Sequence, residues 1–131
     1  MKERVTRWLQ VRLINPAVRR HAGDVGSRYA ILETSGRRTN QARQTPVANG
    51  LDGHTFWIVS EFGRSANYVR NLEANPRVRV RVDGGWRSGE AHLDPEVDPE
   101  ARLAAMDPRT AAEIRRMGSR LVCVRVDLDR S

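Results

Sequence analysis

The chain has one cysteine, few aromatic residues, a single lysine and no long apolar run, and each shortage closes off a class of answer. One cysteine, Cys123, in 131 residues excludes an intramolecular disulfide framework and fits a reducing compartment. The three histidines, His21, His54 and His92, are scattered and give no structural zinc spacing. No stretch approaches the roughly 18 consecutive apolar residues of a membrane span. The N-terminus lacks an apolar run before a small-residue cleavage site, so the expected address is cytoplasmic. Aromatics make up only 5% of the residues, and no nucleic-acid-binding motif is present. Neither a Ser/His/Asp nor a Cys/His pattern for a nucleophile stands out.

A hydrophobic fraction of 39% and a charged fraction of 30% fit one globular domain over residues 1–131 with enough apolar surface for a core. The net charge of +7 is unevenly spread. Residues 1–49 hold ten bases and three acids, residues 50–89 six and four, and residues 90–131 seven and nine. The excess therefore sits in the first half. Only Lys2 among the 23 bases is lysine, which reads as genomic composition as much as function. Glu90, Asp94, Glu96, Asp98 and Glu100 lack the glycine turn of a calcium loop and read as a solvated acidic connection.

Residues 3–14 place Val5, Trp8, Leu9, Val11, Leu13 and Ile14 on an apolar stripe beside arginines, the pattern of an amphipathic helix. Asn15-Pro16 then caps a short second helix, completing a helical segment over 1–22. That segment either covers one end of the fold or rests on a membrane surface, so peripheral membrane association stays open beside a purely cytoplasmic life. After Gly26 the texture becomes strands: 28–34, 45–50, 55–60, 77–82, 86–93 and 121–128, with a short helix over 66–74 closed by Asn75-Pro76. Arg77–Val82 alternates strictly, valines to a core and arginines outward. Residues 94–117 read as an acidic linker and a helix restarted at Pro108. The fold class is thus mainly β with helices (α+β): an antiparallel barrel of about six strands with an N-terminal amphipathic helix. Its interior would include Ile31, Val47, Ile58, Val78, Val80, Val82, Val122 and Val124.

The chain is organised around 31–49, a strand, a polar loop and a second strand. Arg37, Arg38 and Arg43 crowd the loop, with no acid between Gly36 and Pro46. Guanidinium forks suit phosphate and carboxylate through paired, charge-assisted hydrogen bonds. The stretch reads as an anion cradle or, on the plainer view, as a solvated turn.

Three segments in order resemble the deazaflavin (F420)-dependent nitroreductase and quinone reductase family. They are Thr34-Ser-Gly-Arg-Arg-Thr-Asn-Gln-Ala-Arg-Gln-Thr-Pro46, Phe56-Trp-Ile-Val-Ser60 with Asn67-Tyr-Val-Arg-Asn-Leu-Glu-Ala-Asn-Pro76, and Arg77–Val82. The resemblance covers about residues 8–93 and implies a split β-barrel that uses reduced coenzyme F420 as a hydride donor. Under it, Arg37, Arg38 and Thr39 match the loop that holds the cofactor's phosphate and oligoglutamate tail, and Arg43, Gln44, Thr45 and Pro46 the next contacts. Ile58, Val59 and Ser60 match the strand beside the deazaflavin ring, and Asn71 a polar helix contact. Tyr68 stands where the family commonly has tryptophan, and Glu61 where many members carry lysine, with Arg64 three residues on to supply that charge. A tyrosine cluster that some members place over the substrate is missing, which leaves the acceptor and any proton donor open.

The implied activity is hydride transfer to an electron-poor small molecule: a quinone, nitroaromatic or activated enone. A cofactor of this kind carries the chemistry while the protein supplies binding and electrostatics. Two alternatives stay open. One is the same barrel binding flavin mononucleotide (FMN). The other is a non-enzymatic basic module for nucleic acid or anionic lipid, motivated by the outward Arg77, Arg79 and Arg81, although no nucleic-acid partner is expected. Monomer and homodimer are both compatible with the sequence.

Overall fold

The computed structural model describes residues 21–118 and 120–130. The helices expected over 3–14 and 16–22 fall almost wholly outside that range. Seven antiparallel strands form one sheet: β1 (Tyr29–Ser35), β2 (Ala42–Ala48), β3 (Leu51–Asp52), β4 (Thr55–Ser60), β5 (Arg77–Val82), β6 (Gly85–Leu93) and β7 (Val122–Leu128). Their order is β2-β1-β5-β6-β7-β4-β3. The expected count of about six missed β3, a two-residue strand pairing Leu51 with Phe56, because so short a run has no periodicity to read.

That order requires closure. Strands β2 and β3 lie at opposite edges yet are consecutive in the chain. A flat sheet of this width would hold its edges roughly 29 Å apart, at about 4.8 Å per strand. The link through Asn49 and Gly50 reaches at most about 11 Å at 3.8 Å per Cα step. The sheet must curl into a split barrel. The link is held at both ends, since Asn49 N donates to Arg28 O at 3.0 Å and prolongs the β1–β2 ladder, and Trp57 N donates to Gly50 O at 2.9 Å and prolongs the β3–β4 ladder. Gly50 is required there, since a Cβ would stand 2.0 Å from Trp57 O.

The barrel interior is packed by Ala30, Leu32, Val47, Phe56, Ile58, Val78, Val80, Val82, Val124, Val126 and Leu128. Helix α1 (Asn67–Ala74) plugs one mouth and sends Val69 and Leu72, three apart on one face, into this core. A second core lies on the outer side of β4 and β7, where Val59 and Cys123 meet Leu103, Met106, Ala111 and Ile114. β4 is buried on both faces, which explains its continuous apolar run.

Two interior assignments need correction. Ile31 faces outward, because Ala30, Leu32 and Thr34 are the buried residues of β1. Apolar side chains occupy both parities from Tyr29 to Leu32, so period 2 cannot choose the face; pairing with Val80 does. Val122 has the inward parity but sits at the strand start and is only half-buried.

The helical stretch expected to restart at Pro108 does so, as two helices, α2 (Pro99–Ala104) and α3 (Pro108–Met117). Each opens with an aspartate cap and a proline in its first turn: Asp98 accepts from Glu100 N at 3.1 Å and Asp107 from Arg109 N at 2.9 Å. Asp98 and Asp107 are therefore structural, as is Asp94, which accepts from Arg125 Nη1 at 3.0 Å. Among the described residues no group of acids, histidines and cysteine could hold a metal ion, and no helix is long and apolar enough to cross a membrane.

Candidate functional site

Toward the mouth plugged by α1, the inner faces of the strands change from apolar to small polar residues. Thr34 on β1 and Ser60 on β4 continue the inward parity of Leu32 and Ile58 and are both buried. Ser60 Oγ donates to Gly63 O at 2.8 Å, which ties β4 to the turn before α1. Above this polar rim lies a cleft of about 490 Å³ between the β1–β2 loop and α1, lined by Gly36, Arg37, Arg38, Thr39, Arg43, Thr45, Asn67, Tyr68 and Asn71.

The loop from Gly36 to Gln41 is closed by Gly36 N to Gln41 O and Asn40 N to Gly36 O, both at 2.8 Å, with Asn40 in the left-handed region at φ 58°. Asparagine tolerates that conformation better than most residues. The amide of Gln41 donates to Thr39 Oγ1 at 3.3 Å. The result is a compact turn that presents successive basic residues on one side. Arg37 is tied to α1 through Asn71, whereas Arg38 and Arg43 are exposed and have no acidic partner among the described residues.

Seven of the thirteen sequence-nominated residues meet in this cleft: Arg37, Arg38, Thr39, Arg43, Thr45, Tyr68 and Asn71. The other six lie elsewhere. β2 begins at Ala42, three residues earlier than expected, because its pairing with β1 runs on to Ser35. Arg43 and Thr45 then face the cleft while Gln44 and Pro46 take the opposite parity, and Gln44 Nε2 donates to Glu33 Oε2 at 3.0 Å on the outer surface. Ile58 is in the barrel core and Val59 in the second core. Ser60 lies in the polar rim. Arg64 is exposed and pairs with Glu73 Oε2 at 3.0 Å.

Asn67 and Gly36 complete the lining and were not nominated. Asn67 was legible as the first residue of a helix, but nothing in the sequence fixed which way that helix end faces.

Tyr68 is half-buried in the cleft wall. Burial and the nearby Glu61 carboxylate push its phenol well above the ordinary range, outweighing a hydrogen bond with Ser60 that acts the other way. The phenol therefore stays protonated. Tyr29, outside the cleft, is pushed up to about 12 by burial and by its hydrogen bond to Glu113 at 2.5 Å. Cys123 is fully buried, and desolvation raises its thiol to about 11.

The cleft can hold a multiply charged anion along the loop, beside a wall formed by Tyr68, Asn67 and Asn71. A family model described as F420H(2)-dependent quinone reductase matches residues 9–129. An F420H(2)-dependent quinone reductase of Mycobacterium tuberculosis and a putative one of Mycobacterium bovis are each 32% identical over 94 residues, covering 60% of this chain. The aligned region covers 63% of the length of these relatives. Among solved structures, an F420-H2 dependent reductase superposes with a TM-score of 0.59 at 20% identity, covering 83% of this chain and 98% of that one. The heme storage protein HutZ of Vibrio cholerae gives 0.60 at 12% identity, covering 90% and 92%. At such identities the superpositions speak for the fold alone.

Proposed function

Because this chain belongs to the F420H(2)-dependent quinone reductase family, we propose that it is an F420H2-dependent oxidoreductase. Its cleft would bind coenzyme F420 and serve hydride transfer to an electron-poor acceptor, such as a quinone, nitroaromatic or activated enone. The observation that carries this reading is the pair Arg38 and Arg43. Two exposed guanidiniums line one polar cleft and have no acidic partner among the described residues. An anionic tail with a phosphodiester and several carboxylates fits that donor set, since each guanidinium can offer a fork of charge-assisted hydrogen bonds.

When bound, the reduced deazaflavin supplies the hydride. The chain's own residues then bind, orient and shield. Arg38 and Arg43 hold the tail by charge, and Thr39 and Thr45 add hydroxyls along the same wall. Tyr68 provides an aromatic surface and a phenol Oη that keeps its proton through neutral and moderately alkaline pH. Asn67 offers an amide group at the helix start. Hydride transfer asks for no nucleophile–base pair from the protein, and none lines this cleft. A quinone accepting a hydride also takes up one proton, and no cleft side chain has the depressed phenol or raised carboxyl pKa that would nominate it as donor.

The experiment is a fluorescence titration of the protein with oxidised F420 beside an identical titration with flavin mononucleotide. Saturable binding of F420 with an affinity that falls steeply with salt is expected. Binding of the flavin alone would keep the fold and replace the cofactor. Binding of neither, with retention on DNA, would overturn the assignment.

A further inference from the structure

The hydrogen bonds of Asn71 support one step more, which rests on the reading of the cleft as a cofactor site. We propose that Asn71 is the positioning residue of the arginine loop, holding Arg37 so that Arg38 faces the cleft beside Arg43, whose orientation β2 sets. Asn71 is only 5% exposed, although it sits beside a polar, open cleft. It lies on the face of α1 that also sends Leu72 into the barrel core. Its Oδ1 accepts twice from one residue, from Arg37 N at 3.2 Å and from Arg37 Nη1 at 2.9 Å. Its Nδ2 reaches Thr34 Oγ1 at 3.5 Å, at the end of β1. Thr34 is itself buried.

One side chain thereby grips the loop's first residue by main chain and side chain and anchors both to the strand below. The bonds Gly36 to Gln41, Asn40 to Gly36 and Gln41 to Thr39 are internal to the loop. The Asn71 grip ties this short turn to α1 and to the end of β1, and removing it leaves the turn freer to open. A carboxamide suits this task because its oxygen accepts two bonds while its nitrogen donates. The family's cofactor chemistry does not require the helix residue to act in this way; the three bonds to Arg37 and Thr34 do. Arg37 is in this arrangement the gripped residue, and the neighbouring arginines are the ones turned to the anion.

The test compares Asn71→Leu, of similar volume and unable to bond, with Asn71→Asp, whose oxygens can take both Arg37 donors and the Thr34 hydroxyl. The first readout is amide hydrogen exchange in the cofactor-free protein at Gly36 and Asn40, whose acceptors lie inside the loop. We expect exchange at least about tenfold faster in Asn71→Leu and close to the parent rate in Asn71→Asp, with Val80 in the barrel unchanged in both. Unchanged exchange at Gly36 and Asn40 in a folded Asn71→Leu would overturn the proposal, as would equal loosening in Asn71→Asp. Should Asn71→Leu fail to fold, Arg37→Ala at the surface removes the side-chain arm of the same grip. It is expected to loosen the loop about threefold, and no change there would be equally fatal. The second readout is titration with oxidised F420, which Asn71→Leu should bind at least about tenfold more weakly. If the parent protein does not bind F420, the cofactor reading falls while the exchange result still decides the positioning role. If the parent binds and Asn71→Leu binds equally well, the positioning role falls while the cofactor reading stands.

Discussion

Two groups of arginines in this chain look alike in the sequence and behave differently in the fold. Arg77, Arg79 and Arg81 alternate along β5 and face outward, and each is met by a carboxylate: Asp129 at 2.6 Å, Glu33 at 2.8 Å and Asp24 at 2.8 Å. Arg79 also lies over the Trp86 ring at 4.4 Å. Those acids come from β7's far end, from β1 and from the segment before it, far apart in sequence. Arg38 and Arg43 have no such partner among the described residues and line a cleft instead. Net charge therefore locates nothing by itself. What marks a binding surface is positive charge that the protein leaves uncompensated, because a paired guanidinium has already committed its donors. The β5 ladder, which motivated a basic-module reading, is compensated.

The contrast can be broken most sharply at the cleft. Replacing Arg38 and Arg43 together by alanine should weaken binding of oxidised F420 by about 2–5 kcal/mol, if each loses a charge-assisted contact. The thermal midpoint should barely move, and equal affinity in the folded double variant would remove the anion-cradle role. Gly50→Ala should cost about 3 kcal/mol of stability, because the new methyl meets the Trp57 carbonyl at the link between β2 and β3. Both arginine groups would suffer together, as urea unfolding and F420 titration would reveal; a variant of parental stability would contradict the closure argument.

A third test titrates acids while leaving every arginine charged. Folded Cys123 and Tyr29 hold their protons up to about 11 and about 12, against 9.0 and 10.0 ordinarily. Between those limits the unfolded state loses protons first, so stability is intact below pH 9 and falls as the pH rises through 9 to 12. Cys123→Ala should flatten the lower part of that fall, by about 3 kcal/mol at most. A parental pH profile in that variant would assign the loss to other groups. The smallest effect belongs to the ladder. Arg79→Ala should cost about 1 kcal/mol or less, through its ion pair and ring contact, and leave F420 affinity within about twofold. A large affinity loss would mean that the compensated arginines also serve the site.

Much of the site was legible for a physical reason. A turn rich in arginine and free of acid has to put charge on the surface, and Arg37, Arg38 and Arg43 follow from it; Thr39 and Thr45 came with the resemblance of the loop. Tyr68 and Asn71 came with the resemblance of the helix. Gln44 and Pro46 were nominated with their neighbours because a motif runs along the chain, whereas a strand sends alternate residues to opposite faces. Once β2 extends back to Ala42, that parity separates them from the cleft. Asn67 was missed for the converse reason, since its relevance depends on where a helix end lands.

By itself the sequence determined the elements that carry their own signal: the Arg-Val alternation of β5, the strand over 55–60, the Asn-Pro stop after α1, and the family that the three segments identify. Tertiary structure alone decided the closure of the sheet through Asn49 and Gly50, the outward turn of Ile31, and which arginines find acids. Local patterns report the chemistry of near neighbours. Face, seam and charge compensation are set by partners brought together from distant parts of the chain, and their energies exist only once those partners meet.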